Sequence, residues 1–261
     1  MKKVLPLIIV FISLLYSESS FSQSSLSHEV GATFGIASYQ TDFGQRNDFP
    51  SANAATMTFG VTYYLKFFGS QYSWRSGSSY FSSHFKLKTE FNYMNNKTIR
   101  HEVDYNDDRM KLMTGQIKMY NIGTNLEFYF FDMEDYSSYY GNNSKLNPFI
   151  NVGIHYSFYD PDILFNGESL EGQEEPYEDL IPKWQEGAIY LEKDATFAAS
   201  VGAGIRYSIS DVDLVLEGRW QHFFSDKVDG LDDTSSDSAS DFNDTMVIVN
   251  VGIVYVFGRN Y

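Results

Sequence analysis

"TMVIVNVGIVYVF", residues 245–257, sets Val247, Val249, Val251, Ile253 and Tyr255 on one parity and Asn250 and Gly252 on the other. Successive side chains of a strand point to opposite faces, so this run is a long strand with one apolar and one polar side. The hexapeptide inside it, "NVGIVY" (250–255), has a near copy in "NVGIHY" (151–156) and a looser one in "NIGTNL" (121–126). Three copies at unequal spacing make no solenoid period. They mark a shared environment. Val, Ile and Tyr face one medium, while Asn121, Gly123, Asn151, Gly153, Asn250 and Gly252 face another.

The same alternation occurs eight times. His28–Tyr39 opposes Val30, Ala32, Phe34 and Ile36 to Glu29, Gly31, Thr33 and Gly35. Ala55–Leu65 opposes Met57, Phe59, Val61 and Tyr63 to threonines and Gly60, and His84–Met94 opposes Phe85, Leu87, Phe91 and Tyr93 to Lys86, Lys88, Glu90 and Asn92. Lys118–Phe130, Pro148–Tyr159, Ala195–Ile209, Asp213–Phe224 and Thr245–Phe257 complete the set. Soluble strands usually run five or six residues. Segments of ten to fifteen match the roughly ten tilted residues that cross the apolar band of an outer membrane. All eight carry an aromatic residue near their C-terminal end: Tyr39, Tyr63, Tyr93, Phe128, Phe158, Tyr207, Phe224 and Phe257. In a meander those ends alternate between the two membrane surfaces and form both aromatic girdles. The expected fold is all-β, an eight-stranded antiparallel up-and-down transmembrane β-barrel. A secreted sandwich or lipocalin-like barrel is the competing reading.

An even strand count puts both ends of the meander on one side, the periplasm by convention, and four connections outside: about 40–54, 95–117, 160–194 and 225–244. Of the inner turns, Ser210-Asp211-Val212 is tight, whereas 66–83 and 131–147 are long enough for short helices or a docking surface. Eight strands enclose an interior filled by side chains rather than a wide pore. Parity places Glu29, Glu90, Glu127 and Glu217 inside with Lys86, Lys88, Arg206 and Arg219, a balanced set of the kind a desolvated lumen demands. A salt-bridge network plugging the barrel is the expected role, and a proton or ion path the alternative. Arg206 and Glu217 flank the sixth turn and are expected to be cross-strand neighbours.

Lys2 and Lys3, the apolar run Val4–Leu15 and the small residues of "SFS" (20–22) read as a secretory leader over 1–22, leaving a single barrel domain over 23–261. The run is too short for a spanning helix. The chain has no cysteine, which excludes disulfides and thiol chemistry. Its net charge of −15 is concentrated. Residues 160–194 hold eleven acids against two lysines and residues 225–244 seven against one, nearly the whole acidic excess. Such segments repel phosphate, so nucleic acid is not an expected partner. Outer-membrane lipid is, together with other envelope proteins met through the acidic loops.

No catalytic constellation emerges from the five histidines. His222, near Asp226 and Asp229, falls on the lipid parity. His155 falls inside near Asn151 and Ser157, and His101 lies in a connection with Asp104. "DKVDGLDD" (226–233) lacks the spacing and trailing Glu of a calcium loop. No enzyme activity, cofactor or metal is expected. The alternatives are a rim-located lipid hydrolase and a narrow channel.

"FSQ" (21–23), "SLSHEVG" (25–31), "DFGQRNDF" (42–49) and "GRWQHFFSDKVDGL" (218–231) together resemble an uncharacterised family of small outer-membrane β-barrels of Bacteroidota, OmpA-like or porin-family-like in type. The resemblance covers essentially the whole chain after the leader. It implies outer-membrane residence, a structural or accessory role and, by analogy alone, association with type IX secretion or surface assembly. It carries no site residues.

Overall fold

A computed structural model describes residues 26–40, 56–67, 80–100, 112–133, 145–173, 189–231 and 243–257. The leader read at 1–22, His101, Asp104 and Asp232-Asp233 lie outside the described residues. Within the described residues, nine strands and one short helix follow in order: β1 (Leu26–Gln40), β2 (Thr56–Phe67), α1 (Tyr80–His84), β3 (Phe85–Arg100), β4 (Met113–Tyr129), β5 (Leu146–Phe165), β6 (Glu168–Ser169), β7 (Asp194–Ile209), β8 (Val212–Phe223) and β9 (Thr245–Val256). Each long strand pairs antiparallel with its chain neighbours, β1 also pairs with β9, and β4 with β5, so eight strands close on themselves. β6 is a two-residue appendage folded back on the end of β5.

Closure leaves the ring no free edge, the condition for placing strands in hydrocarbon. The outer surface meets the second condition. Phe34, Phe59, Val61, Phe91, Ile122, Val152, Ile154, Phe197, Val201, Leu216, Val251 and Ile253 are all exposed. On β9 the reach from Val247 to Phe257, at about 3.4 Å per residue and a tilt near 40°, covers roughly 25 Å, the height of an outer-membrane apolar band.

We call the end where β1 begins and β9 finishes the terminal rim, and the other the far rim. Toward the far rim the alternation changes sign. Below Tyr120 and Phe158 apolar residues point out, but beyond them Met113, Ile117 and Met119 of β4 and Tyr159 and Ile163 of β5 are buried inside. Lys118, Gln116, Asp160 and Asp162 take the outer face there. Oil inside and polar groups outside is the pattern of a sheet in water. β4 and β5 therefore project about 18 Å past the apolar band, about seven residues each at the same rise and tilt. The connections expected at 95–117 and 160–194 are thus partly strand. "FNGE" (165–168) carries the hairpin signal for the projection: Asn166 and Gly167 take φ of 49° and 87°, the two left-handed positions of a tight primed turn.

Three sequence expectations fail in detail. Tyr39 is buried inside the barrel, not at the surface girdle, because β1 is already in the inverted layer at that height. The sixth turn is Ser210-Asp211 alone, since Ile209 pairs with Val212. In that register Arg206 lies opposite Val215 and Glu217 opposite Gly204, so the two charges are not cross-strand neighbours. The other seven aromatics at strand ends, Tyr63 to Phe257, do point outward.

The seam between first and last barrel strands is narrow. A Cβ added at Gly35 would collide with the Val249 carbonyl oxygen and come to 2.8 Å from Asn250 Cα, both backbone. Gly35→Ala should therefore spread β1 from β9 and cost about 1–3 kcal/mol, as overpacking does. Urea unfolding followed by heat-modifiable gel mobility measures it, and unaltered stability would mean the seam is looser than drawn.

Candidate functional site: a filled lumen

Three layers occupy the interior. Nearest the terminal rim, Glu29 accepts from Lys86 Nζ at 2.6 Å and from Arg206 Nη2. Arg206 also donates through Nε to Asp213 Oδ2 (2.7 Å) and through Nη1 to the Tyr129 hydroxyl (3.1 Å), and its guanidinium lies over the Tyr64 ring. Tyr129 in turn donates to Glu127 Oε2 at 2.6 Å. Tyr64, Tyr129, Met133, Phe149, Val215 and Val254 form an apolar cluster at this end.

At mid-height Lys88 sits among three carboxylates. Its ammonium donates to Glu217 Oε2 at 2.6 Å and stands 3.5 Å from Glu127 and 3.6 Å from Glu90. Glu217 Oε1 accepts from Asn151 at 2.8 Å; Glu90 Oε1 accepts from Arg219 Nη1 and from Asn125 at 3.1 Å. All eight charged side chains that parity assigns to the lumen are buried. Two further inward charges complete the layer structure: Asp213, which takes the same parity as Glu217, and Lys66, one position past the expected end of the second segment. Burying a charge without partners is prohibitive, and near-equal numbers of each sign let every ion be matched.

The repeated hexapeptides find their physical reason here. A Cβ at Gly123 would run into the His155 ring at Nδ1, and one at Gly153 into Asn125 Oδ1. Each glycine leaves room for the side chain opposite it, so "NIG" and "NVG" are places where a cross-strand partner lies flat on the wall. Gly252 makes room in the same way for Thr33, whose Cγ2 would stand 3.1 Å from an added Cβ. The asparagines supply the lumen's hydrogen bonds: Asn250 Oδ1 accepts from Thr58 (3.3 Å), and Asn121 donates to Gln221 (3.0 Å) while accepting from Ser157 (3.0 Å).

Above Asn121 the third layer is apolar. Met94, Met119, Tyr159, Ala198, Phe223, Met246 and Ile248 fill the bore, with the Tyr39 hydroxyl directed at the sulfurs of Met94 and Met119. Leu170, just after β6, and Val228 and Leu231 from the segment after β8 cover it. Ile189 bridges to Leu231 and the Tyr190 amide donates to the Gly230 carbonyl. Gly230, at φ 90°, passes close to Pro161 and Ile163. Two acids of this segment are structural. Asp229 Oδ1 accepts from the Leu231 amide and Asp244 Oδ2 from the Val228 amide, and both are buried. Among the described residues no group of three or more His, Asp or Glu is placed to hold a metal ion.

One arrangement has the order of a nucleophile, a base and an acid. Ser200 Oγ lies 2.8 Å from His155 Nε2, and His155 Nδ1 lies 3.8 Å from Glu90 Oε1. Sequence reading missed Ser200 as the partner because it pairs across β5 and β7. The site has the apolar layer on one side and the Glu29–Lys86–Arg206 ring on the other. Ser200 is moreover shared with Asn125 Oδ1, which accepts from it at 3.1 Å. His222 is outside, stacked on Trp220 and edge-on to Phe224 in the surface girdle.

A closed cylinder with an apolar belt of membrane height and a charged lumen is an outer-membrane β-barrel. No family model matches the chain, and no curated protein does. Solved structures similar to it include Ail, the attachment invasion locus protein of Yersinia pestis, at 11% identity over 89% of this chain and 99% of that one, with a TM-score of 0.43. A major outer membrane protein from Thermus thermophilus follows at 9% identity, 88% and 99% coverage and a TM-score of 0.44. OprG from Pseudomonas aeruginosa stands at 15%, 90% and 97%, with 0.37. At these identities and scores nothing of ligand, partner or chemistry carries over.

Proposed function

We propose that this is a non-enzymatic, structural or accessory barrel of the outer membrane, whose far-rim projection and acidic loops are its contact surface for other envelope proteins. The observation that carries the reading is the filled bore. A conducting pore needs a continuous wet path, and the layer of Tyr39, Met94, Met119, Phe223 and Met246 interrupts one with tightly packed hydrocarbon. A rim hydrolase needs a nucleophile and base that lipid can reach; the Ser200–His155 pair is enclosed and His222 is wedged between aromatic rings. A projecting pair of strands, β4 and β5, with a polar outer face serves contact better than chemistry.

Purified protein reconstituted into planar bilayers should be electrically silent, and it should leave phospholipid and lipid A intact. Stepwise conductance or released fatty acid overturns the reading. Crosslinking in intact cells followed by detergent pulldown should recover defined envelope partners, among which components of a type IX secretion or surface-assembly complex are the class suggested by the family resemblance. Recovery of an isolated monomer only would remove the accessory role and leave a purely structural one.

A further inference from the structure

The terminal rim is lopsided. On the β7–β8 side the chain turns back through polar Ser210-Asp211. On the β2–β3–β4 side it carries an aromatic surface that continues past the strands as far as Phe131, with Asp132 at its border. α1 leads into β3, and its Ser82 and Ser83 are buried while Tyr80 and Phe81 are 65% and 47% exposed. Phe130 and Phe131, just after β4, are each 52% exposed. The rings form a connected sheet. Phe81 packs on Phe67 at 5.4 Å and stacks on Phe85 at 4.7 Å, Phe85 meets Phe128 at 5.2 Å, and Phe128 meets Phe130 at 5.4 Å. Tyr80 stacks on His84 at 4.2 Å, and His84 reaches Phe128 at 6.0 Å.

We infer that α1 and the Phe130-Phe131 corner insert into the membrane–water boundary at the terminal rim and anchor that side of the barrel to phospholipid. Three features choose lipid as the occupant. The patch runs without a break into the apolar belt through Phe67, Phe85 and Phe128, which already face hydrocarbon. Residues 80–84 and Phe130-Phe131 hold no Asp, Glu, Lys or Arg. Large rings bearing a hydroxyl or imidazole among them (Tyr80, His84) suit the headgroup level, where one end is dry and the other wet. Large rings left in water forgo the gain of burial, so an exposed cluster of four calls for a cover. The consequence is directional: the apolar surface reaches lower on one side, so the barrel is held tilted, or the bilayer dips, around α1.

The chain's lack of cysteine gives a direct test. Single variants Y80C, F81C, V251C and K145C are spin-labelled and refolded into vesicles of phosphatidylethanolamine and phosphatidylglycerol. Accessibility to oxygen, which partitions into lipid, is compared with accessibility to a water-soluble nickel chelate. V251C lies on the exposed belt and K145C on the exposed polar rim, so they set the two limits. The labels at 80 and 81 are expected to show oxygen-to-nickel ratios displaced from the K145C value toward the V251C value. Ratios matching K145C overturn the proposal, and so does dipolar broadening between labels of two molecules, which would make the occupant a second copy. A V251C label that reads as aqueous would instead sink the membrane belt itself, so failure of the anchor and failure of the barrel reading are told apart.

Discussion

Lys88→Met is expected to destabilise the barrel by about 3–5 kcal/mol, the penalty for leaving buried charge without its partner. The ammonium is fully buried and is the common neighbour of Glu217, Glu127 and Glu90. Methionine keeps the stem and removes the charge, so packing is nearly conserved while carboxylates of three strands face one another. Glu90 retains Arg219, Glu127 retains Tyr129 and Glu217 retains Asn151, but none of these replaces the shared cation. The double variant Lys88→Met, Glu217→Gln should recover part of the loss, because neutralising the nearest carboxylate removes most of the unbalanced charge. Urea unfolding in vesicles, followed by tryptophan fluorescence, gives both numbers. Equal stability of K88M and the parent would show that the network is hydrated and loosely coupled. A double variant no better than the single would show that Lys88 acts through packing alone.

Phe223→Ala is expected to cost a similar amount, about 3–5 kcal/mol, for a different reason. Phe223 is fully buried within the far-rim apolar layer, opposite Ala198. Removing its ring deletes transfer energy and leaves a cavity beneath the cap formed by Leu170, Val228 and Leu231. The loss should appear in the same unfolding experiment, and protease sensitivity of the cap should rise with it. Conductance gained by F223A but absent in the parent would identify this layer as the seal of the bore. A stable, silent and protease-resistant F223A would mean that the layer collapses onto the gap and that no single side chain closes it.

The exposed surface and the interior answer to different physics, and the two differ in how far sequence reveals them. Strand number and the membrane-spanning part of each strand were legible because hydrocarbon outside and a crowded polar lumen impose a strict period of two over ten or more residues, as in "NVGIVY" and "NVGIHY". Parity by itself does not say which face is the core. At Met113, Ile117, Met119 and Tyr39 the same alternation continues while the medium outside changes from lipid to water, and the apolar face turns inward. The Asn166-Gly167 turn was readable as a hairpin signal beside that change, yet its meaning depended on knowing that β5 outruns the membrane.

A membrane-length alternation, a meander of eight long strands and a concentration of acid in two connections are all readable in the residue order, since each follows from local periodicity or composition. Who meets whom across the lumen emerges only on folding. Arg206 finds Glu29 from the other end of the chain and Asp213 across the turn instead of Glu217, Lys88 finds Glu217, and Ser200 finds His155. Those partnerships depend on the register of every seam between them and on the closing pairing of β1 with β9. A shift of two residues keeps every side chain on its own face yet changes its neighbours, and period two is blind to such a shift.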